Sequence, residues 1–159
     1  MKNEQGFSLV ELLIVVAIIA IIAAIAIPSL LTSRQAANEA GAIQGCRTIG
    51  SAEIAFAATN NQQYTTVTAL VTGNFLDARF GATTQGINGY SYASGDVLGT
   101  TMDGAYPASF GFIATPSGTG MGRFLYAIGP DQVVRYQGAV SGASLPSGTT
   151  EGDPIGKTN

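Results

Sequence analysis

Gly6-Phe7-Ser8-Leu9-Val10-Glu11-Leu12-Leu13-Ile14-Val15-Val16-Ala17-Ile18-Ile19, continued by an apolar run to Ile27 and closed by Pro28, decides how this chain of 159 residues is built. Phe7 to Ile27 is a stretch of 21 residues whose only charge is Glu11. At 1.5 Å rise per residue, a helix of that length spans about 31 Å, close to the ~30 Å hydrocarbon core of a bilayer. The segment is long enough to cross a membrane once. An acidic side chain at the centre of a membrane helix costs roughly 2.5 to 3.5 kcal/mol, less near an end, so Glu11 calls for a partner. Nothing else in the segment pairs with it on this reading. Cutting the chain after Gly6 places a new α-ammonium on Phe7, one helical turn away, and the same ammonium on a neighbouring copy is an equal candidate.

Gly6-Phe7-Ser8-Leu9-Val10-Glu11 with the run to Ala26-Ile27-Pro28 closely resembles the class III signal of type IV pilins and type II secretion pseudopilins, over the first 28 residues. The resemblance implies that a prepilin peptidase cuts between Gly6 and Phe7 and that the new N-terminus on Phe7 is N-methylated. It implies that Glu11 supports assembly into a helical filament, and that the helix leaves the membrane and partly unwinds near Pro28. It further implies residence as a single-pass protein of the bacterial inner membrane, then in a periplasmic or extracellular filament. The implied partners are further copies of the chain, the prepilin peptidase and an inner-membrane assembly platform.

Two plainer readings compete. A secretory signal would use Lys2 as a weak basic region and Ala24-Ile25-Ala26 as the cleavage site, but Glu11 is out of place in its apolar stretch. An uncleaved anchor leaves both Glu11 and the Gly6-Phe7 junction without a role. The interior of the helix suits close packing: Ala20 and Ala24 are small residues four apart, which lets backbones approach. Pro28 has no N–H for the Ala24 carbonyl and is expected to kink or loosen the helix there.

After Pro28 the helical pattern persists, with Arg34, Gln35, Asn38, Glu39, Gln44 and Arg47 interrupting the apolar positions. Ile43, Cys46, Gly50, Ile54 and Ala57 fall on one arc, flanked by Ile49 and Phe56, which predicts an apolar face packed on a sheet. Gly41, Gly45 and Gly50 each weaken the helix by up to ~1 kcal/mol relative to Ala, so tertiary contacts must hold it. It is expected to end near Thr59-Asn60-Asn61.

Tyr64 to Asp77 reads as a connecting loop containing a short helical turn stopped by Gly73. Gly89–Ala93, Ser109–Thr115, Phe124–Ile128 and Val133–Tyr136 are rich in β-formers, with Gly and Pro at hairpin distances, predicting three or four antiparallel strands. The tail from Gly138 to Asn159 is rich in Gly, Ser, Thr and Pro and is expected to be a surface loop or disordered. The fold class expected is therefore α+β and pilin-like: leader 1–6, membrane and filament-core helix 7–28, and a head 29–159. Within the head, 29–59 continues the helix, 60–88 connects, 89–137 forms the sheet and 138–159 is a flexible tail.

Enzymatic chemistry has little support. Gly89-Tyr90-Ser91-Tyr92-Ala93 approaches a nucleophile elbow, yet its last position is Ala and the chain has no histidine, so a Ser-His-Asp relay cannot be built. Gly118 to Arg123 lacks the Lys-Ser/Thr ending of a phosphate loop and reads as a hairpin connection. No cofactor is expected. Asp96, Asp103 and Asp131, or Glu151 and Asp153, offer oxygen ligands for calcium in the late loops, but their spacing matches no calcium loop and they read as solvated turn residues. Cys46 is the single cysteine; no intrachain disulfide is possible, a departure from many type IV pilins, and its position on the apolar arc suits a buried small hydrophobe. A net charge of −3 with pI near 4.7 argues against a broad nucleic-acid-binding face, leaving only a local patch on a filament for DNA.

The leading function is thus a structural subunit of a type IV pilus or related filament. A major-type pseudopilin of a type II secretion system is the nearest alternative, and a membrane-anchored adhesion or binding domain that never polymerises is a different class. Adhesion, motility, DNA uptake and protein secretion all remain open.

Overall fold

A computed structural model describes residues 6–81, 86–94, 109–139, 145 and 152–156. The chain divides into two compact units, Met1–Arg34 and Gln35–Asn159. Helix α1, Leu9–Thr59, is 51 residues long and contributes to both.

In the first unit the helix is alone, and its large apolar side chains, from Phe7 and Leu9 through Ile27 to Leu30 and Leu31, are exposed. Its length and apolar composition suffice to cross a membrane. The α-helix is unbroken through Pro28. One rung is missing there because proline has no N–H, and the next turn is reinforced from the side: the hydroxyls of Thr32 and Ser33 each donate to the Ser29 carbonyl at 2.9 Å.

In the second unit α1 ends at Thr59, followed by a tight turn with Asn61 and Gln62 at positive φ and with Gln62 N donating to the Ala57 carbonyl at 2.9 Å. Helix α2, Val67–Thr72, is capped at its start by the Thr66 hydroxyl, which accepts from Ala69 N. Gly73 ends it as expected, although with φ −79°. The left-handed residue is Asn74 at φ 60°, whose side chain tolerates that region. A 3₁₀ turn at Ala78–Gly81 follows.

The sheet has four strands, β1 Tyr90–Ser94, β2 Phe112–Pro116, β3 Phe124–Ile128 and β4 Val134–Ala139, in the order β1-β2-β3-β4 with every pair antiparallel. Tyr92 lies opposite Ala114, Ala114 opposite Tyr126, and Tyr126 opposite Tyr136. The two later connections are hairpins: 117–123 turns through Met121 N to Gly118 O, and 129–133 through Gln132 N to Gly129 O. The β1 to β2 connection is 95–111; its residues 95–108 lie outside the described residues. Past β4, Gly152 and Ile155 donate backbone hydrogen bonds to the Tyr136 and Val134 carbonyls, and Asp153 accepts one from Tyr136 N. This part of the tail extends the β4 edge. The rest of 140–159, apart from Leu145 and Gly156, is not described.

Alternation along the strands sends Tyr90, Tyr92, Phe112, Ala114, Phe124, Tyr126, Ile128 and Val134 into one core with Ala42, Cys46, Ile49 and Ala52 of α1. The fold is therefore a long N-terminal helix packed on an antiparallel sheet, α+β and pilin-like. Cys46 is fully buried, and that burial pushes its thiol up to about 12, so it behaves as a small hydrophobe. The buried arc of α1 is rotated from the one expected. It is centred on Glu39, Ala42, Cys46, Ile49, Glu53 and Ala57, whereas Ile54 falls at its edge and is 50% exposed.

Tyr92 carries the one buried side-chain polar atom among the described residues without a hydrogen-bond partner, its hydroxyl. A buried, unpaired hydroxyl costs about 1 to 3 kcal/mol. Tyr92→Phe is therefore expected to raise the thermal midpoint of the full chain in detergent by a few degrees. A lower midpoint would mean that the hydroxyl is bonded.

Candidate functional site

The start of α1 is built by two side chains that satisfy each other. Ser8 stands just before the first helical residue. Its hydroxyl accepts from Glu11 N at 3.2 Å. Glu11 reaches back and accepts from the Ser8 backbone N–H at 2.9 Å and from the Ser8 hydroxyl at 2.8 Å. This is a capping box, which satisfies N–H groups that a helix start leaves bare. The expectation that nothing in the segment pairs with Glu11 is corrected: Ser8 does. The signal was present in the sequence as Ser8-Leu9-Val10-Glu11, a Ser-x-x-Glu pattern ahead of an apolar run.

Gly6, Phe7 and Ser8 lie outside the helix. A Cβ built at Gly6 meets nothing within 4 Å, so the fold itself places no steric demand for glycine there. Phe7 is 90% exposed. Pro28 lies in α1 within the same unit, more than four turns along from Glu11 at 3.6 residues per turn. Gly6, Phe7 and Glu11 thus sit together at the helix start, and Pro28 sits apart.

The other candidates have other uses. Ser91 is a strand residue whose hydroxyl donates to the Thr115 carbonyl at 3.2 Å. Arg123, in the glycine-rich connection between β2 and β3, is held by Glu39: its Nη2 and Nε lie 2.9 and 3.0 Å from the carboxylate, and its backbone N–H lies 2.7 Å away. Glu39 is buried, and its hydrogen bond raises the Arg123 guanidinium further above its ordinary value. Of the calcium candidates, Asp131 pairs with Arg135, whose guanidinium holds its carboxyl below the usual range. Asp96, Asp103 and Glu151 lie outside the described residues. No group of three or more His, Cys, Asp or Glu that could hold a metal occurs among the described residues.

Residues 1–27 match the family profile described as the prokaryotic N-terminal methylation motif. That profile covers the start of the chain, including Gly6, Phe7 and Glu11, and not the head. The chain is also 54% identical over 39 residues to the type IV wide pilus major component PilA4 of Thermus thermophilus. That similarity covers 24% of this chain and 30% of the relative, so the two align over less than a third of the relative's length. The segment matched by the profile is thus the part carrying the exposed apolar helix and the Ser8–Glu11 cap.

Proposed function

We propose that this chain is a structural subunit of a type IV pilus or closely related filament, cut between Gly6 and Phe7 by a prepilin peptidase and methylated on Phe7. In this reading it is held in the bacterial inner membrane by the helix up to Pro28 and then polymerised by an assembly platform. The observation that carries it is the methylation-motif match over residues 1–27 on a helix whose apolar side chains are exposed all round. Such a helix does not stay in water: contiguous apolar surface of this extent marks a membrane or an interface. A bilayer covers it in one state and packed copies of the same helix cover it in the other. Glu11 fits both states, capped by Ser8 before processing and offered a new ammonium on Phe7 after it. A secretion pseudopilus uses the same segment, and no side chain among the described residues of the head favours one machine.

Intact mass and N-terminal sequence of the protein from its native membrane or surface fraction test the processing. A chain beginning at methylated Phe7 is expected; one beginning at Met1 or Ile27 overturns the reading in favour of an anchor or a secreted domain. Gly6→Leu is expected to leave the unprocessed form accumulating. Since the fold leaves the Gly6 position open, a block there reports the peptidase pocket and not misfolding. Normal maturation of Gly6→Leu would place the cleavage elsewhere.

A further inference from the structure

Glu53 stands in the last part of α1 and is fully buried. Its two carboxylate oxygens share a single N–H, that of Thr65, at 3.1 and 3.4 Å. No cation faces it among the described residues. Arg79 is engaged by Asp77, Arg123 by Glu39 and Arg135 by Asp131, while Arg34 and Arg47 lie exposed on α1 itself. The other titratable side chains on α1 within the second unit, in the connection and in the sheet are Glu39 and Cys46 on α1, Tyr64 in the connection, and Tyr90, Tyr92, Tyr126, Arg135 and Tyr136 in the sheet; α2 has none. Burial pushes Cys46, Tyr90, Tyr92 and Tyr126 up, so these groups are uncharged at neutral pH.

Glu39, the other buried carboxylate on the same arc, has a guanidinium and a backbone N–H. Among the described residues Glu53 has one donor and no countercharge. Its bond also ties down the connection between α1 and α2: Thr65 is itself buried and precedes Thr66, the cap of α2, which delivers Val67 and Leu70 to the core. We propose that Glu53 and the Thr65 amide form a pH-sensitive latch, closing the connection between α1 and α2 while the carboxyl is protonated and loosening it once the carboxyl ionises. A neutral carboxyl accepts the one N–H at a smaller burial cost than a carboxylate, which needs more donors than this site supplies and draws water in by opening.

Burial is the largest influence on Glu53 and pushes its carboxyl up to about 7, against a partial lowering by the Thr65 N–H. The folded chain therefore binds more protons than the unfolded chain between the ordinary carboxyl range, about 4.3, and this raised value. The stability this group contributes is full at acidic pH and is lost as pH rises through neutrality.

The test is amide exchange and an NMR pH titration on the full chain in detergent micelles. The wild-type Thr65 amide resonance is expected to titrate near neutral pH. Its opening constant, corrected for intrinsic exchange, is expected to rise about tenfold from pH 6 to pH 8, as a single ionisation of this kind requires. Amides of α2 should follow, and Glu53→Gln should hold the opening constant flat over that range. A Thr65 titration confined to below pH 5, or the same pH dependence in wild type and Glu53→Gln, overturns the proposal. If Glu53→Gln does not fold, the wild-type titration decides alone.

Discussion

Replacement of Glu11 by valine is expected to remove filaments while the unassembled chain accumulates in the membrane fraction. Membrane insertion does not need the carboxylate; a charged group in the bilayer interior costs roughly 2.5 to 3.5 kcal/mol at the centre and less near an end, so valine inserts at least as readily. What is lost is the acceptor for the Ser8 N–H and hydroxyl and, under the proposed processing, the counter-charge for an ammonium on Phe7. A charge-assisted bond of this kind contributes about 1.5 to 3 kcal/mol, and each 1.4 kcal/mol is a factor of ten in an equilibrium. The yield of sheared filaments should fall by roughly tenfold or more on that scale.

Glu11→Asp keeps a carboxylate one methylene shorter and should retain more assembly than Glu11→Val; equal yields from the two would remove the ion-pair argument. Glu11→Gln separates the roles of the carboxylate. Glutamine still serves as the return partner of a capping box but carries no charge. Filament loss with Glu11→Gln assigns the effect to charge, and normal filaments assign it to the cap.

The parts of this chain that follow a local rule were legible from its residues. The apolar run, the end of α1 at Thr59, the stop of α2 at Gly73 and the span of β3 each follow from a composition change or a periodicity confined to a few neighbours. The parts that depend on contacts across the chain were not. Glu39 reads as a polar interruption of the helix, yet it is buried because Arg123, 84 positions later, brings it both a guanidinium and a backbone N–H. Glu53 was silent for the same reason: its partner is the backbone of Thr65, and a backbone partner leaves no residue-type signal. Ile54 looked like core and is half exposed, because burying Glu39 and Glu53 turns the helix face away from it. The Ser8–Glu11 cap is local and legible in its spacing: the partner of Glu11 is a hydroxyl three residues before it, not a countercharge.

The three glycines of α1 illustrate the same limit, and Gly45 carries the larger structural prediction. Each was read as a weakness of the helix; each is a point of contact with the rest of the head. A methyl at Gly41 would collide with Asn88, one at Gly50 with Gln132 and Ile128, and one at Gly45 with the hydroxyl and ring of Tyr92. Tyr92 cannot swing clear. Its ring packs 5.1 Å from that of Phe80, and its backbone is held opposite Ala114 in the sheet. Gly45→Ala gains up to about 1 kcal/mol of helix propensity but forces the ring or the helix to move, and overpacking of this kind costs about 1 to 3 kcal/mol. Gly45→Leu adds further carbons to the same closed contact and is expected to cost more, enough to separate α1 from β1 and lower the thermal midpoint by ten degrees or more, at roughly 2 to 8 °C per kcal/mol. Near-UV circular dichroism of the full chain in detergent reads the effect through the tyrosines of the core. The collision is specific to one pair, so Gly45→Ala combined with Tyr92→Leu should be less destabilised than the sum of the two single changes. If Gly45→Ala is instead more stable than the wild type, helix propensity alone governs this position and the close approach of Tyr92 to α1 does not hold the head together.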